Sequence, residues 1–100
     1  MPKENPNLQG NIKIDTHEPE RYNVIFHNDD FTPMDFVVMI LMDIFMLDFQ
    51  KAEQVMLSVH NNGTGSVGTY SYDIAVSKAS KATSIARKEG FPLRLSVQPA

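Results

Sequence analysis

Asn28-Asp29-Asp30 stands just ahead of an apolar helical segment, and His60 falls at the end of the segment that follows. An amide oxygen, a carboxylate and a neutral imidazole nitrogen are all hydrogen-bond acceptors. A primary ammonium carries three N–H donors and needs several acceptors converging on it, so this set suits an amine. Other chemistries use the same residue types. As metal ligands, Asp29, Asp30 and His60 are few and irregularly spaced and fit no recognised ligand motif, which argues against a metal. A carboxylate and a histidine also make an acid/base pair, but no nucleophile elbow, oxyanion-hole signature or phosphate loop accompanies them. The plainest reading is structural: Asn28 and Asp29 form a turn, and His60 occupies a helix end that favours a cation. Residue types and spacing alone favour that plain reading.

Methionine adds a second signal, since Met34, Met39, Met42, Met46 and Met56 all fall within one stretch of the chain. Methionine fills irregular gaps in cores and lines adaptable binding surfaces. Beside the acceptors, Met34, Val37, Met56 and Val59 can line an apolar cavity. Such a cavity takes an amine attached to a hydrophobic side chain.

The elements that must position these groups follow from periodicity. Tyr22, Val24 and Phe26 alternate with Asn23, Ile25 and His27, which predicts a strand over 22–27. Thr32 reads as an N-cap with Pro33 at the first helical position and Asp35 near the positive helix end, giving a helix from Pro33 to about Leu47. That helix is apolar almost all round, so it is buried or touches something extra. Asp48 caps a second helix with Ala52, Val55, Met56 and Val59 at helical spacing, ending at Asn61-Asn62-Gly63. Met56 and His60, four apart, share one face of it. NNGTGSVG reads as a loop into a strand near Val67–Tyr72. A third helix, from Ser71 or Asp73 to about Glu89, carries Ala75, Ala79, Ala82 and Ala86 on one face. Gly90 and Pro92 end it, and Leu93, Leu95 and Val97 alternate as a last strand. The order β-α-α-β-α-β predicts an α+β two-layer sandwich, with three helices on a three-stranded, mainly antiparallel sheet.

A chain of 100 residues builds one domain. Residues 1–21, polar and rich in proline, read as a flexible N-terminal extension, with the folded domain over 22–100. The absence of cysteine excludes disulfides, thiolate metal sites and a cysteine nucleophile. A net charge of −3 gives no sign of a nucleic-acid or anionic-membrane partner. The charge is uneven, however: residues 23–60 carry six acidic groups against one basic, and residues 61–100 five basic against two acidic. The acidic middle favours a cationic ligand. With no apolar signal core and no run of ~18 apolar residues, the chain reads as soluble and cytoplasmic.

Taken together, the run from Asn28 to Val37 (NDDFTPMDFV), Ala52 to His60 (AEQVMLSVH) and Phe91-Pro92-Leu93 resemble the ClpS family over roughly residues 22–97. The resemblance implies a small, non-enzymatic adaptor without metal or cofactor. Such adaptors bind proteins bearing a bulky hydrophobic N-terminal residue, the N-degron, and deliver them to a Clp AAA+ unfoldase, of ClpA or ClpC type, and its protease. Carried over by position, Asn28, Asp30 and His60 hold the α-amino group, Asp30 through water, while Asp29 and Thr32 order the loop and the first peptide unit. Met34, Val37, Met56, Val59 and Leu93 line the side-chain pocket with Leu47 at its base, and Met34 gates it against β-branched residues. Asp73 and Lys78 fall where the family contacts the unfoldase's N-terminal domain, and the N-terminal extension falls where the family engages the unfoldase. The Gly- and Ser-rich NNGTGSVGTYS and the strand LRLSVQ depart from the family pattern. Two other classes compete: a plain interaction module docking through the third helix, and a small hydrolase.

Overall fold

The structure is a computed structural model that describes residues 19–100. Its elements are β1 (Tyr22–His27), α1 (Met34–Asp43), α2 (Phe49–Asn62), β2 (Thr64–Tyr70), α3 (Tyr72–Lys88) and β3 (Arg94–Pro99). They follow the expected order and form the expected two-layer α+β arrangement. The sheet runs β2-β1-β3 and is antiparallel throughout. β1 takes the centre because it supplies two fully buried side chains, Val24 and Phe26, to the covered face. Its other residues, Asn23, Ile25 and His27, alternate onto the uncovered face. There the His27 Nε2 lies 2.7 Å from Ser96 Oγ. Burial, and then the Arg94 guanidinium paired across from it, hold the His27 pKa below the usual imidazole value.

α3 lies on this sheet through Ala75, Ala79, Ala82 and Ala86, all buried. Their spacing puts them on one stripe, and their size brings the helix backbone close to the strands. α2 packs beside β2 through Val55 and Val59, and α1 packs along α2. The second helix is capped as expected: the Asp48 carboxylate accepts the Lys51 N–H at 2.8 Å, and Gly63 closes it in the left-handed conformation at φ 91.

Both ends of the first helix depart from the sequence reading. The first helix stops at Asp43, not near Leu47. Ile44 and Phe45 turn into the core, where the Phe45 ring meets Phe26 edge-on at 5.5 Å and lies 6.2 Å from Tyr70. Met46 at φ 60 then reverses the chain, and the Leu47 N–H returns to the Leu41 carbonyl at 3.1 Å. No Gly or Pro marks this stop, and Ile44 to Leu47 are all apolar, so periodicity alone runs past it. At the other end, Thr32 is not the cap. Pro33 holds that position and has no side-chain group to bond the helix, while the Thr32 hydroxyl, one residue earlier, donates to Asp29.

The Gly-rich segment is strand from Thr64 onward rather than loop. Gly65 is why it crosses α2 so closely: a Cβ there would sit 2.7 Å from Val59 Cγ2 and 2.9 Å from the Val55 carbonyl. β2 also holds one more residue than β1 between the pairs Val24–Gly68 and Ile25–Ser66, a bulge at Val67. Residues 1–18 of the expected extension lie outside the described residues. Arg21, assigned to that extension, is bonded to the sheet: its Nη2 donates to the Thr69 carbonyl and its own carbonyl accepts the Ala100 N–H.

Gly65→Ala forces α2 and β2 apart and should lower stability by about 1–3 kcal/mol. Chemical denaturation checks this; an unchanged midpoint would mean the contact relaxes at no cost.

Candidate functional site

Asp29 organises the turn between β1 and α1. Its Oδ1 accepts the Phe31 N–H at 2.8 Å and the Thr32 N–H at 2.7 Å, and its Oδ2 accepts the Thr32 hydroxyl at 2.8 Å. Burial alone would push the Asp29 pKa up. The hydrogen bonds from Thr32 and Phe31, joined by the Arg87 guanidinium, outweigh that and hold it below the usual carboxylate value. Arg87 in turn donates from Nη1 to the Phe91 carbonyl at 2.9 Å and the Leu93 carbonyl at 2.8 Å. Phe91 meets Phe36 of α1 edge-on at 4.8 Å. The segment between α3 and β3 is thereby held against the start of α1.

A second tie brings in α2. The Asn28 N–H donates to the Gly63 carbonyl at 2.9 Å, joining the end of β1 to the C-cap of α2. His60 lies in the last turn of α2, just before that cap. Asn28, Asp30 and His60 are all exposed, and among the described residues none of their side chains is hydrogen-bonded. Asp29 and Thr32 are spent on the turn itself. Three acceptors thus stand open to solvent on a frame that is already bonded.

The apolar residues assigned to the pocket divide by burial. Val37, Val59 and Leu93 belong to the core, Met56 and Leu47 are half-buried, and Met34 is 49% exposed at the start of α1. Val37 comes from α1, Met56 and Val59 from α2, and Leu93 from just before β3. Two surface concavities lie elsewhere. One is lined by Pro33, Asp35, Phe36, Met39 and Phe91, the other by Asp43, Ile44, Met46, Ser77, Lys78 and Lys81. Of the pair assigned to a partner, Asp73 is exposed in the first turn of α3, whereas Lys78 is half-buried and donates to the Ile44 carbonyl at 2.9 Å.

Arg87 is the residue that sequence reasoning missed. A basic side chain in the last turn of a helix, just ahead of a loop with free carbonyls, is the signal that could have found it. Phe31, 77% exposed between Asp30 and Thr32, also went unremarked.

The family model of ClpS, described as ATP-dependent Clp protease adaptor protein ClpS, matches residues 17–96. The chain belongs to the ClpS family. It is 48% identical over 87 residues to the ATP-dependent Clp protease adapter protein ClpS of Oleidesulfovibrio alaskensis, covering 87% of this chain and 84% of that relative. The ClpS of Treponema denticola is 49% identical over 81 residues, covering 81% of this chain and 80% of that relative. Among solved structures, Agrobacterium tumefaciens ClpS2 bound to L-phenylalaninamide superposes with a TM-score of 0.80 at 35% identity, covering 83% of this chain and all of that one. ClpS proteins are a family of adaptors, not of catalysts. Among the described residues no helix is long and apolar enough to cross a membrane, and no three His, Asp or Glu side chains cluster in a way that could hold a metal.

Because the Asp29 pKa is lower in the folded than in the unfolded chain, its stabilisation is present at neutral pH and is lost as the pH falls below about 4. Asp29→Asn should remove this acid-dependent increment, read by thermal melts at about pH 7 and about pH 3. Equal pH dependence in both proteins would count against the carboxylate as the organiser of the turn.

Proposed function

We propose that this chain recognises the free N-terminus of proteins beginning with a bulky hydrophobic residue and delivers them, in the cytoplasm, to a Clp AAA+ unfoldase and its protease. The observation that carries the reading is the bond from Asn28 to Gly63, which sets the exposed acceptors Asn28 and Asp30 beside the turn of α2 that bears His60. L-Phenylalaninamide, the ligand of the ClpS2 relative, joins an α-amine to an aromatic side chain, which agrees with that pairing.

Each half of the site has a physical reason. A desolvated ammonium is costly unless acceptors surround it, so Asn28, Asp30 and a neutral His60 select a free amine over an acetylated one. An imidazolium has no acceptor nitrogen to offer, so His60 serves in its neutral form. Burying a Leu or Phe side chain among Met34, Val37, Met56, Val59 and Leu93 contributes roughly 1.5–3 kcal/mol, which a residue without a side chain forgoes. Val37, Val59 and Leu93 are fixed in the core, so the incoming side chain is admitted by movement of Met34 and Met56, the two flexible and less buried members. Leu47, reached through the Met46 reversal, forms the base. A β-branched Ile or Val carries its bulk next to the backbone, where Met34 stands, and is rejected by that clash. Asp73 and Lys78 on α3 meet the N-terminal domain of the unfoldase, at a distance in sequence from the acceptors.

Fluorescence anisotropy with peptides differing only in the first residue tests the site. Leu and Phe peptides should bind at micromolar or tighter Kd, and N-acetylation or His60→Ala should abolish binding. Failure of every peptide to bind would reject the amine-plus-pocket reading. Met34→Ala should bring Ile and Val peptides to within about tenfold of Leu by opening the space next to the backbone. Continued exclusion of both would remove the gate role from Met34.

A further inference from the structure

α1 is tied locally at its end by the return of the Leu47 N–H to the Leu41 carbonyl, which leaves the Ile44 carbonyl to find another partner. Its last turn holds no basic residue and closes on Asp43, a negative charge at the negative end of the helix dipole. The chain leaves through Ile44 in right-handed helical conformation, and the first left-handed residue is Met46, not a glycine. A helix C-terminus leaves carbonyls without intrahelical partners. The Ile44 carbonyl finds one outside: Lys78 Nζ, reaching from the middle of α3, donates to it at 2.9 Å in a part-buried hydrogen bond. α1 otherwise packs along α2 and makes little contact with α3.

We propose that Lys78 is a positioning residue for the peptide site. Through the Ile44 carbonyl its ammonium sets where α1 lies against α2, and so the spacing between Met34 and Val37 on one wall and Met56 and Val59 on the other. α1 has 10 residues and is a rod of about 15 Å, so movement at Ile44 is carried to Met34 at the far end. Lys78 supplies what the helix lacks: a cation at the negative end of the dipole and a donor for an orphan acceptor. This role is separate from any contact of Lys78 with an unfoldase and acts when no unfoldase is present. It rests on the proposed function, since it concerns the grip on the N-terminal side chain.

The test uses the full chain alone, with N-terminal Leu, Phe and Ile peptides and anisotropy as the readout. Lys78→Met keeps the aliphatic stem and removes the ammonium. It should weaken Leu and Phe binding roughly threefold to tenfold and shift the Leu-to-Ile affinity ratio, while Lys78→Arg restores both. A simple loss of folded protein lowers all affinities together and leaves the ratio unchanged, so the ratio separates positioning from stability. Should Lys78→Met fail to fold, Lys78→Gln, which keeps an N–H donor without the charge, serves in the same comparison. Wild-type binding of Leu and Phe, with affinity and ratio unchanged in the variant, overturns the positioning role and leaves the site standing. Absence of binding by the wild type overturns the site, and the positioning role with it.

Discussion

One backbone hydrogen bond, from the Asn28 N–H to the Gly63 carbonyl, fixes the geometry on which the proposed site depends. It joins the end of the central strand to the end of α2, two points separated by both first helices. An ammonium needs acceptors from more than one direction, and a single turn of chain does not surround it. Gly63 makes the bond feasible by closing α2 in the left-handed conformation, from which the chain enters β2 at once.

The three residues of the acidic turn differ in how they are used: one is bonded within the turn and two are left exposed. Asp29 spends its charge internally, on two backbone N–H groups, a hydroxyl and the field of Arg87. Asp30 and Asn28 are left to solvent. A carboxylate already satisfied by its own chain keeps the turn rigid while the side chains of its two neighbours stay unpaired among the described residues. Arg87 extends the same frame to Phe91 and Leu93, which holds the segment between α3 and β3 against the start of α1.

Much of this was legible in the residues and some was not, for physical reasons. The strand 22–27, the Asp48 cap, the Gly63 stop and the alanine face of α3 were readable because each rests on local chemistry: alternation, a side-chain acceptor, a left-handed residue, a stripe of small side chains. The end of α1 was hidden because Ile44 and Phe45 are as apolar as the helix before them, and only tertiary burial against Phe26 and Tyr70 turns the chain. The start of β2 was hidden because glycines usually signal loops, while Gly65 is there to let a strand touch α2. Thr32 had the chemistry of a cap, but the helix starts one residue later and the Thr32 hydroxyl donates to Asp29 within the turn. The acceptors could be named from the sequence, where residue types and spacing favoured their plain reading as a turn; the bond from that turn to α2 had no local signal. The long-range tie of Lys78 to Ile44 had no local signature, and that of Arg87 only the general one of a cation in a last helical turn.

The order of strands has a mechanical consequence. β1 is bonded to a neighbour on each side, whereas β3 is bonded along one side only. Tension applied to the chain ahead of Tyr22 therefore loads two ladders at once, and Arg21 adds its bonds to Thr69 and Ala100 on the same line of force. Tension applied beyond Pro99 loads a single ladder, which can open one pair at a time. The sheet thus meets tension from its leading side with two ladders and from its trailing side with one, an asymmetry set by strand order.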